Sequence, residues 1–341
     1  MSEKTLVVVV PVYNVERYVS MCIDSLLDQS YTPMKIVLVN DCSTDNSLSI
    51  LKDYEKRFPD NIIVIDSKEN MGIGGARNLG MRFSESDYIG FVDSDDFVHP
   101  QMYESLMREV VSGNEDAVYC EYTDVPKGAT PSDVSDIVNG ITWGKEEVER
   151  LSFSSENRER VMGTHKYGTT WTGVYRRGLI EETGLMFPEH LAFEDNFWVY
   201  ALQLHMKDVA IVHRPLYYYR RQDDSTSHKK NAKHHYDRLT IEKMLYDYVV
   251  EKGLLKDNYN IIEYIYISVQ TYNTLSLLFR YVRNPDYGEL RNTRSFLKNH
   301  FPHWSNNPLF QDRFSRKQKL KMYVFMYLPL RLCRVLFPFR K

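Results

Sequence analysis

Short apolar runs rich in valine, isoleucine and leucine recur through the first 120 residues, about one every 25–30 residues. Such runs are typical of parallel strands that are buried on both faces. Between them, apolar residues recur at the 3.6-residue spacing of a helix. Strands that alternate with helices form βαβ units, so the sequence predicts an α/β fold with a mainly parallel sheet flanked by helices. The predicted strands are LVVVV (6–10), KIVLV (35–39), IIVI (62–65), YIGFV (88–92) and AVYC (117–120).

The helices predicted between these strands each have one apolar face. Asn14 is a favourable N-cap, and the helix that it starts has its last apolar residue at Leu27. A second helix is predicted at 48–58, and a short third helix near 75–83. Beyond residue 236 the pattern is predominantly helical.

Polar residues lie at or shortly beyond the carboxyl ends of four of the predicted strands. In parallel sheets, ligands bind beyond the carboxyl ends of the strands. The sequence therefore predicts a binding site at this edge of the sheet. The polar groups are Tyr13 with Asn14, Asn40 with Asp41, Asn70 with Gly72, and Asp93 to Asp96.

The composition excludes several classes of protein. The 341 residues are 43% hydrophobic and 26% charged with a net charge of −3, which indicates a globular protein and does not favour nucleic-acid binding. The four cysteines lie far apart without metal-type spacing, which predicts a reducing, cytoplasmic environment. The apolar run at 6–10 ends at Pro11 and is too short for a signal peptide or a membrane span.

The carboxyl-terminal tail has a different charge from the rest of the chain. Residues 316–341 contain eight lysines or arginines and no acidic residue. The longest uncharged apolar run, 322–330, contains Pro329 and is too short to cross a bilayer. A basic segment rich in aromatic residues suits the surface of an anionic membrane. The alternatives are a tail that docks on the body of the protein or one that forms a homo-oligomer contact.

Three carboxylates follow the fourth predicted strand within four residues, in YIGFVDSDDF. Asp93 and Asp95 flank Ser94 as a D-x-D pair. Two converging carboxylates suit a hard divalent cation that is shared with substrate phosphates. The alternative is a solvated turn in which Asp96 caps the next helix.

The segment NDCSTDNS follows the second predicted strand. The carboxylate of Asp41 is able to accept a hydrogen bond from the imide N–H of a uracil, and Tyr13 is able to stack on such a base. The alternative is a helix start, for which Ser43, Thr44 and Asp45 are well suited.

The segment NMGIGGARNLG (70–80) resembles a dinucleotide fingerprint but lacks its third glycine, since Arg77 occupies that position. This departure argues against a dehydrogenase. We interpret the segment as a flexible loop that closes over a nucleotide, with Arg77 reaching a phosphate or a carboxylate.

Two further groups of charged residues are candidates for chemistry. Glu194 and Asp195 lie at the predicted start of a helix rich in aromatic residues, where a carboxylate is able to act as a general base. Their alternative is helix capping. Arg220 and Arg221 precede hydroxyl residues and suit an anion clamp, and their alternative is an ordinary surface position.

Together these motifs closely resemble the bacterial family 2 glycosyltransferases, in the branch that elongates surface polysaccharides such as capsule, teichoic acid and exopolysaccharide. The resemblance covers roughly residues 4–228, with the motifs in the family's order. The motifs are PVYN, VNDCSTDNS, NMGIGGARNLG, FVDSDD, VYRRGLIEETGLMFPEHLAFEDNFW and YYYRRQDDSTS.

The resemblance implies a GT-A nucleotide-sugar-binding fold, a UDP-sugar donor, Mn²⁺ or Mg²⁺, and inversion at the anomeric carbon. It also implies roles for individual positions. The family's contacts to the uridine match Pro11, Tyr13 and Asp41, and its contacts to the nucleotide-sugar match Asn70 and Arg77. The family's ribose and metal motif matches Asp93, Ser94 and Asp95, with Asp95 as the more direct ligand. The catalytic base matches Asp195 with Glu194 in support, and a contact to the diphosphate or the acceptor matches Arg220.

One departure from the family is Cys42, where glycine is usual. We expect cysteine to require an ordinary backbone conformation, and therefore a slightly different loop.

The expected function is transfer of a hexose or N-acetylhexosamine from a UDP-sugar to a hydroxyl of a glycan, a glycolipid or another cell-surface polymer. The expected domains are a GT-A catalytic domain (1–228), a helical region (229–315) and a basic tail (316–341) at the inner face of the cell membrane. A metal-dependent nucleotidyltransferase is the first alternative, although PVYNVE follows the first strand in place of a basic phosphate loop. A non-catalytic subunit of the same fold is the second, although both acidic motifs are present.

Overall fold

The computed structural model describes residues 4–83, 85–113, 115–130, 133, 147–164, 166–221 and 233–336. The chain forms two compact units. Unit 1 comprises Met1–Ser154, Lys166–His190 and His205–Gln222, and unit 2 comprises Ser155–His165, Leu191–Leu204 and Asp223–Lys341. The domain boundaries expected at 228 and 315 stay a prediction.

Unit 1 contains a sheet to which the described residues contribute nine strands. The strand order is β3-β2-β1-β4-β8-β6-β9-β5, and β7 pairs with β9. The strands are β1 (Leu6–Val12), β2 (Met34–Asn40), β3 (Ile62–Asp66), β4 (Tyr88–Phe91), β5 (Phe97–Val98), β6 (Ala117–Val125), β7 (Val148–Ser152), β8 (Gly173–Arg176) and β9 (Asp208–Arg220).

The first four strands of this order are parallel, and β6 is parallel to β9. Strand β8 is antiparallel to both β4 and β6. All seven residues of β1 are buried, as its unbroken apolar sequence predicts. The predicted α/β fold with a mostly parallel sheet flanked by helices is confirmed.

Helices connect the strands of unit 1 and make up most of unit 2. The described α-helices are α1 (Val19–Leu27), α2 (Ser47–Arg57), α3 (Gly72–Arg82), α4 (Met102–Gly113), α5 (Ser155–Met162), α6 (Arg177–Thr183), α7 (Glu194–Gln203), α8 (Asp237–Glu251), α9 (Tyr259–Ile265), α10 (Thr274–Tyr281), α11 (Tyr287–His300), α12 (Pro308–Arg313), α13 (Arg316–Tyr327) and α14 (Cys333–Leu336).

The start of the first helix differs from its prediction. Asn14 is not its N-cap, because α1 begins at Val19. Asn14 adopts a left-handed conformation with φ +52°, and its side-chain oxygen accepts a hydrogen bond from the backbone N–H of Thr44 at 2.7 Å. Its side chain therefore ties the loop after β1 to the loop after β2.

Helix α3 packs very closely on the sheet. A Cβ atom at Gly80 would lie 2.3 Å from a methyl carbon of Val9, in β1. Only glycine allows this approach. It brings the side of α3 that carries Arg77 close to the strands of the predicted site.

Unit 2 is helical in the residues that the structure describes. A π-helical segment, Tyr266–Asn273, joins α9 to α10. Helix α13 starts with a capping box in which Ser315 and Gln318 bond each other's backbone N–H groups. Among the helices of the described ranges, none is both long and apolar enough to cross a membrane.

Candidate functional site

The parallel register places the carboxyl ends of the first strands at one edge of the sheet. Val12 of β1 lies level with Asn40 of β2, and Asn40 lies level with Asp66 of β3. Tyr13 and Asp41, which follow these strand ends, therefore lie at the same edge of the sheet, as predicted. The ring of Tyr13 is 50% exposed, so it is accessible to a base.

Asp41 is held in place by hydrogen bonds from the loop after β3. Its side-chain oxygen Oδ1 accepts from the backbone N–H of Met71 at 2.7 Å, and its carbonyl accepts from the side chain of Asn70 at 2.9 Å. Burial raises the pKa of Asp41, against the backbone hydrogen bonds from Met71 and Gly72. Asn70 thus orients the loop that carries Asp41.

The alternative interpretation of NDCSTDNS as a helix start applies to Asp45, which lies just before α2. Its carboxylate accepts from the backbone N–H of Ser47 at 2.9 Å and from that of Glu16 at 3.0 Å. The hydrogen bond from Ser47 stabilises the start of α2, and the one from Glu16 ties the loop after β1 to it. Asp41 takes no part in this helix start.

The expectation for Cys42 was wrong. Cys42 has the left-handed conformation that glycine favours, with φ +60°, and its thiol lies 3.2 Å from the carbonyl oxygen of Ser67. The left-handed conformation costs a residue with a Cβ about 1–2 kcal/mol. The fixed backbone of Asp41 on one side and the S–H···O contact on the other maintain it.

Arg77 offsets part of the negative charge of the clustered carboxylates at 93–96. Its Nη2 atom lies 2.7 Å from Oδ1 of Asp93. The guanidinium is 2% exposed and lies over the ring of Phe187, 5.4 Å from its centroid. Arg77 therefore reaches a carboxylate, one of the two outcomes expected for it. The flexible-loop interpretation of 70–80 was wrong from Gly72 onward, because those residues form α3.

Asp96 is buried and hydrogen-bonded. It accepts from the hydroxyl of Tyr217 at 2.7 Å and from the backbone N–H of Arg220 at 2.7 Å. Burial, followed by the charges of Asp95 and Asp93, raises its pKa well above the usual range. The alternative in which Asp96 caps the next helix was therefore wrong.

Arg220 holds the D-x-D turn from β9. Its guanidinium is buried and donates to the carbonyl of Asp95 at 2.8 Å and to the carbonyl of Ala129 at 2.7 Å. The rings of Tyr18 and Phe97 each lie 5.2 Å from it. Arg220 is therefore not an ordinary surface arginine.

Arg221 differs from its neighbour. It is exposed, and its guanidinium pairs with Asp124 at 2.6 Å. The hydroxyl residues predicted to complete an anion clamp, 225–227, lie outside the described residues.

The donor atoms of the D-x-D turn suit a divalent cation. Asp93 is half-buried and pairs with Arg77 through one oxygen, while the half-buried Asp95 is held through its carbonyl. Two carboxylates from one turn match a hard cation that takes its other ligands from a diphosphate. In the described ranges, no group of three or more His, Cys, Asp or Glu side chains is placed to hold a metal by itself.

Glu194 and Asp195 belong to unit 2 and form the first turn of α7. Glu194 is 3% exposed, and Asp195 is half-buried. Oδ1 of Asp195 accepts from the backbone N–H of Asn196 at 3.0 Å. The preceding residue, Phe193, has φ +67°, which is rare for an aromatic residue and turns the chain sharply into the helix.

The sequence did not single out several residues that shape these motifs. Tyr217 bridges the acidic turn, since its oxygen also accepts from the backbone N–H of Asp93 at 3.2 Å, and Trp171 stacks on it. In unit 2, Arg238 lies over the ring of Phe193. No local pattern marks these residues, because their partners are distant along the chain.

Comparison with known proteins agrees with these motifs. The sequence pattern of the family described as Glycosyl transferase family 2 matches residues 7–184. The chain is 31% identical over 262 residues to the putative glycosyltransferase EpsH of Bacillus subtilis (strain 168), which covers 75% of this chain and 70% of EpsH.

Two solved structures have a similar fold. S. aureus TarS 1–349, in complex with UDP-GlcNAc, matches with a TM-score of 0.67 at 18% identity, over 94% of this chain and 87% of that one. The mannosyltransferase PcManGT from Pyrobaculum calidifontis, in complex with GDP-Man and Mn²⁺, matches with a TM-score of 0.52 at 13% identity, over 96% and 88%.

Proposed function

Because the chain belongs to glycosyl transferase family 2, we propose that it transfers a hexose or an N-acetylhexosamine from a UDP-sugar to a hydroxyl of a glycan, a glycolipid or another cell-surface polymer. The observation that carries the proposal is the D-x-D turn, fixed at the carboxyl ends of the strands by Arg77 and Arg220. The UDP-GlcNAc bound by TarS supports a UDP-sugar donor.

The donor's uridine is assigned to the edge formed by β1 and β2. The buried carboxylate of Asp41, with one oxygen bonded to Met71, would accept from the imide N–H of uracil. The exposed ring of Tyr13 would stack on the base, and Pro11, buried at the end of β1, would shape the pocket. Asn70 would act through the loop of Asp41.

The acidic turn is assigned to the ribose, the diphosphate and a divalent cation. Asp95 would be the more direct metal ligand, because Arg77 already occupies one oxygen of Asp93. Ser94 lies between them, and Arg220 would meet the diphosphate or the acceptor. A bound Mn²⁺ or Mg²⁺ would offset the negative charge that develops on the leaving diphosphate.

The base is assigned to Asp195. Its carboxylate would take the proton of the acceptor hydroxyl while that oxygen attacks the anomeric carbon and the bond to the diphosphate breaks. Attack from the face opposite the leaving group inverts the anomeric centre in a single displacement. No covalent enzyme intermediate is needed, and Glu194 would support the base from its buried position.

UDP is expected to raise the melting temperature of the protein, and to do so only with Mn²⁺ or Mg²⁺. A ligand at 100 times its dissociation constant adds about 2.7 kcal/mol to the free energy of unfolding. The measurement is a thermal-shift screen of UDP, GDP, CMP and ADP, each with manganese and with EDTA. A metal-independent response, or a stronger response to another nucleotide, would contradict the donor assignment.

We further propose that the exposed face of the carboxyl-terminal helices binds an anionic membrane, at the inner face of the cell membrane. In α13, the buried residues Met322, Phe325 and Met326 face the interior of unit 2. Leu320, at 61% exposure, and Tyr327, at 60%, lie on the surface. We call the outer residues the tail surface: Arg316, Lys317, Leu320, Tyr323, Tyr327, Leu328, Arg331, Leu332 and Val335.

The charge of the tail surface favours lipid as its occupant. After Asp312 the sequence contains no acidic residue. Burial lowers the pKa of Lys321, and the positive charges of Arg280 and Lys317 lower it further. Exposed apolar and aromatic side chains within a positive field match an anionic bilayer surface.

Charge reversal on the tail surface is expected to release the protein from vesicles. The double variant Arg316→Glu/Lys317→Glu should weaken binding to vesicles that contain phosphatidylglycerol by more than about tenfold, because each basic residue contributes about 1 kcal/mol at such a surface. Flotation with phosphatidylglycerol and with phosphatidylcholine alone measures this.

Two variants complete the vesicle experiment. Leu320→Gln/Tyr327→Gln should also weaken binding, whereas Val250→Gln, an exposed apolar residue of α8, should not. Unchanged flotation of the charge-reversal variant would contradict lipid binding. A change in oligomeric state without a change in flotation would assign the tail surface to a second copy of the chain.

A further inference from the structure

The first turn of α8 lies against the segment that carries Glu194 and Asp195. Oδ2 of Asp237 accepts from the backbone N–H of Ala192 at 3.0 Å. The guanidinium carbon of Arg238 lies 3.9 Å from the centroid of the Phe193 ring. Two successive residues of α8 thus contact the two residues that precede the Glu-Asp pair.

These contacts coincide with a strained backbone. Phe193 has a positive φ of +67°, a conformation that bulky side chains rarely adopt and that persists only where the surroundings enforce it. The hydrogen bond at Ala192 and the guanidinium over the Phe193 ring supply that enforcement. They fix the direction in which α7 begins, and hence where Asp195 points.

Arg238 also affects the charge on Asp195. The guanidinium is buried, and its burial lowers the pKa of Arg238, while Glu242, Asp195 and Tyr200 raise it when they are ionised. Such an interaction is reciprocal, so the positive charge of Arg238 favours the ionised form of Asp195. A general base must be ionised to take a proton.

Glu242, one turn further along α8, competes with Asp195 for the charge of Arg238. It is 1% exposed, and neither of its carboxylate oxygens has a hydrogen-bond partner among the described residues. Burial raises the pKa of Glu242 to about 8, against the lowering effect of Arg238. The raised pKa favours the protonated, neutral form of Glu242, so Asp195 is the other acidic group whose negative charge acts on Arg238.

We propose that Asp237 and Arg238 are positioning residues for the reaction: they hold the segment 192–195 in its strained conformation, and the positive charge of Arg238 favours the ionised carboxylate of Asp195. This inference rests on the proposed role of Asp195 as the base. Among the described residues, the titratable groups near this cluster also include Tyr200 on α7, Tyr264 on α9, Tyr266 on the π-helical segment, and His234 and His235 before α8.

The decisive variant is Arg238→Gln, which removes the charge at similar length. We expect the titration midpoint of the Asp195 carboxyl to rise by about one pH unit. Carbon-13 NMR of protein labelled at the aspartate carboxyl carbons measures it, with Asp195→Asn to assign the signal. This readout needs no substrate. The matched control is Arg291→Gln, an exposed arginine of α11, which should leave the midpoint unchanged.

The kinetic counterpart uses the UDP-sugar that raises the melting temperature of the protein most in the presence of manganese. The acid limb of the kcat profile should move up by the same amount in Arg238→Gln, while the KM for the donor stays within about twofold. Asp237→Ala, which removes the hydrogen bond from the backbone N–H of Ala192, should lower kcat about tenfold with an unchanged acid limb. Glu242→Gln should have nearly the wild-type kcat at neutral pH, and the acid limb of its kcat profile should lie where that of wild type does.

Glu242→Gln also tests the neutral carboxyl. A folded pKa of about 8, above the unfolded value near 4.5, means that wild type loses stability as the pH rises between these values. The melting temperature of Glu242→Gln relative to that of wild type should therefore rise as the pH increases across this range.

The outcomes separate this inference from the proposed function. An Asp195 midpoint that is identical in wild type and Arg238→Gln would overturn it. If Arg238→Gln does not fold, wild-type kcat in Asp237→Ala would overturn the positioning role. A shifted midpoint with unaltered transfer would support the cluster and instead contradict Asp195 as the base.

Discussion

Asp195→Asn is expected to lower the rate of sugar transfer about 10²–10⁴-fold, the usual contribution of a positioned general base. Asparagine has nearly the same shape and still offers an oxygen to the backbone N–H of Asn196, so the first turn of α7 should be retained. The variant should bind UDP with metal as wild type does, because the donor residues belong to unit 1.

The comparison that makes this result specific is Asp247→Asn. Asp247 is an exposed acidic residue of α8 that pairs with Lys243 at 2.5 Å, so its loss removes a carboxylate of unit 2 without affecting α7. The Asp247→Asn variant should transfer sugar at the wild-type rate. Normal turnover in Asp195→Asn would remove Asp195 as the base, and loss of UDP binding in that variant would show that it acts through the fold.

Asp95→Ala is expected to weaken metal-dependent UDP binding at least about 100-fold, since even residues that only support metal ligands cost 10–100-fold when removed. Arg220 donates to the carbonyl of Asp95, which alanine retains, so the turn itself should be preserved. Isothermal titration of UDP with manganese and with EDTA measures the effect.

Asp95 is a better test of the metal than its neighbours in the turn. Removal of Asp93 would leave the buried Arg77 without that carboxylate, and breaking a buried ion pair in this way costs about 3–5 kcal/mol. Removal of Asp96 would deprive Tyr217 of its acceptor. Asp124→Asn is the matched control, because Asp124 is a partly exposed acidic residue of unit 1. Equal UDP affinity in wild type and Asp95→Ala would contradict the metal assignment.

The strands and their polar ends were predictable because their signals are local. A run such as 6–10 is buried on both faces, and that burial is visible in its composition. Parallel connection then places successive carboxyl ends at one edge, so the sequence was enough to name Asp41 and Asp93 as candidate site residues.

The loops were less predictable, since alternative uses of the same polar residue differ little in sequence. Asn14 suits an N-cap, yet its side chain bonds Thr44 in the next loop. Cys42 was expected to leave the left-handed conformation, yet contacts on both sides maintain it. In both cases a partner about 25–30 residues away decided the conformation.

The α/β fold, the family and the edge of the sheet at which chemistry is expected follow from the sequence alone, because hydrophobic periodicity and motif order are properties of the chain. The way in which the carboxylates are accommodated depends on tertiary contacts: Arg77 pairs with Asp93, and Tyr217 bonds Asp96 from a position 121 residues away. It also brought Arg238 over Phe193. The free energy of a buried charge depends on which groups surround it in space, and those groups come from distant parts of the chain.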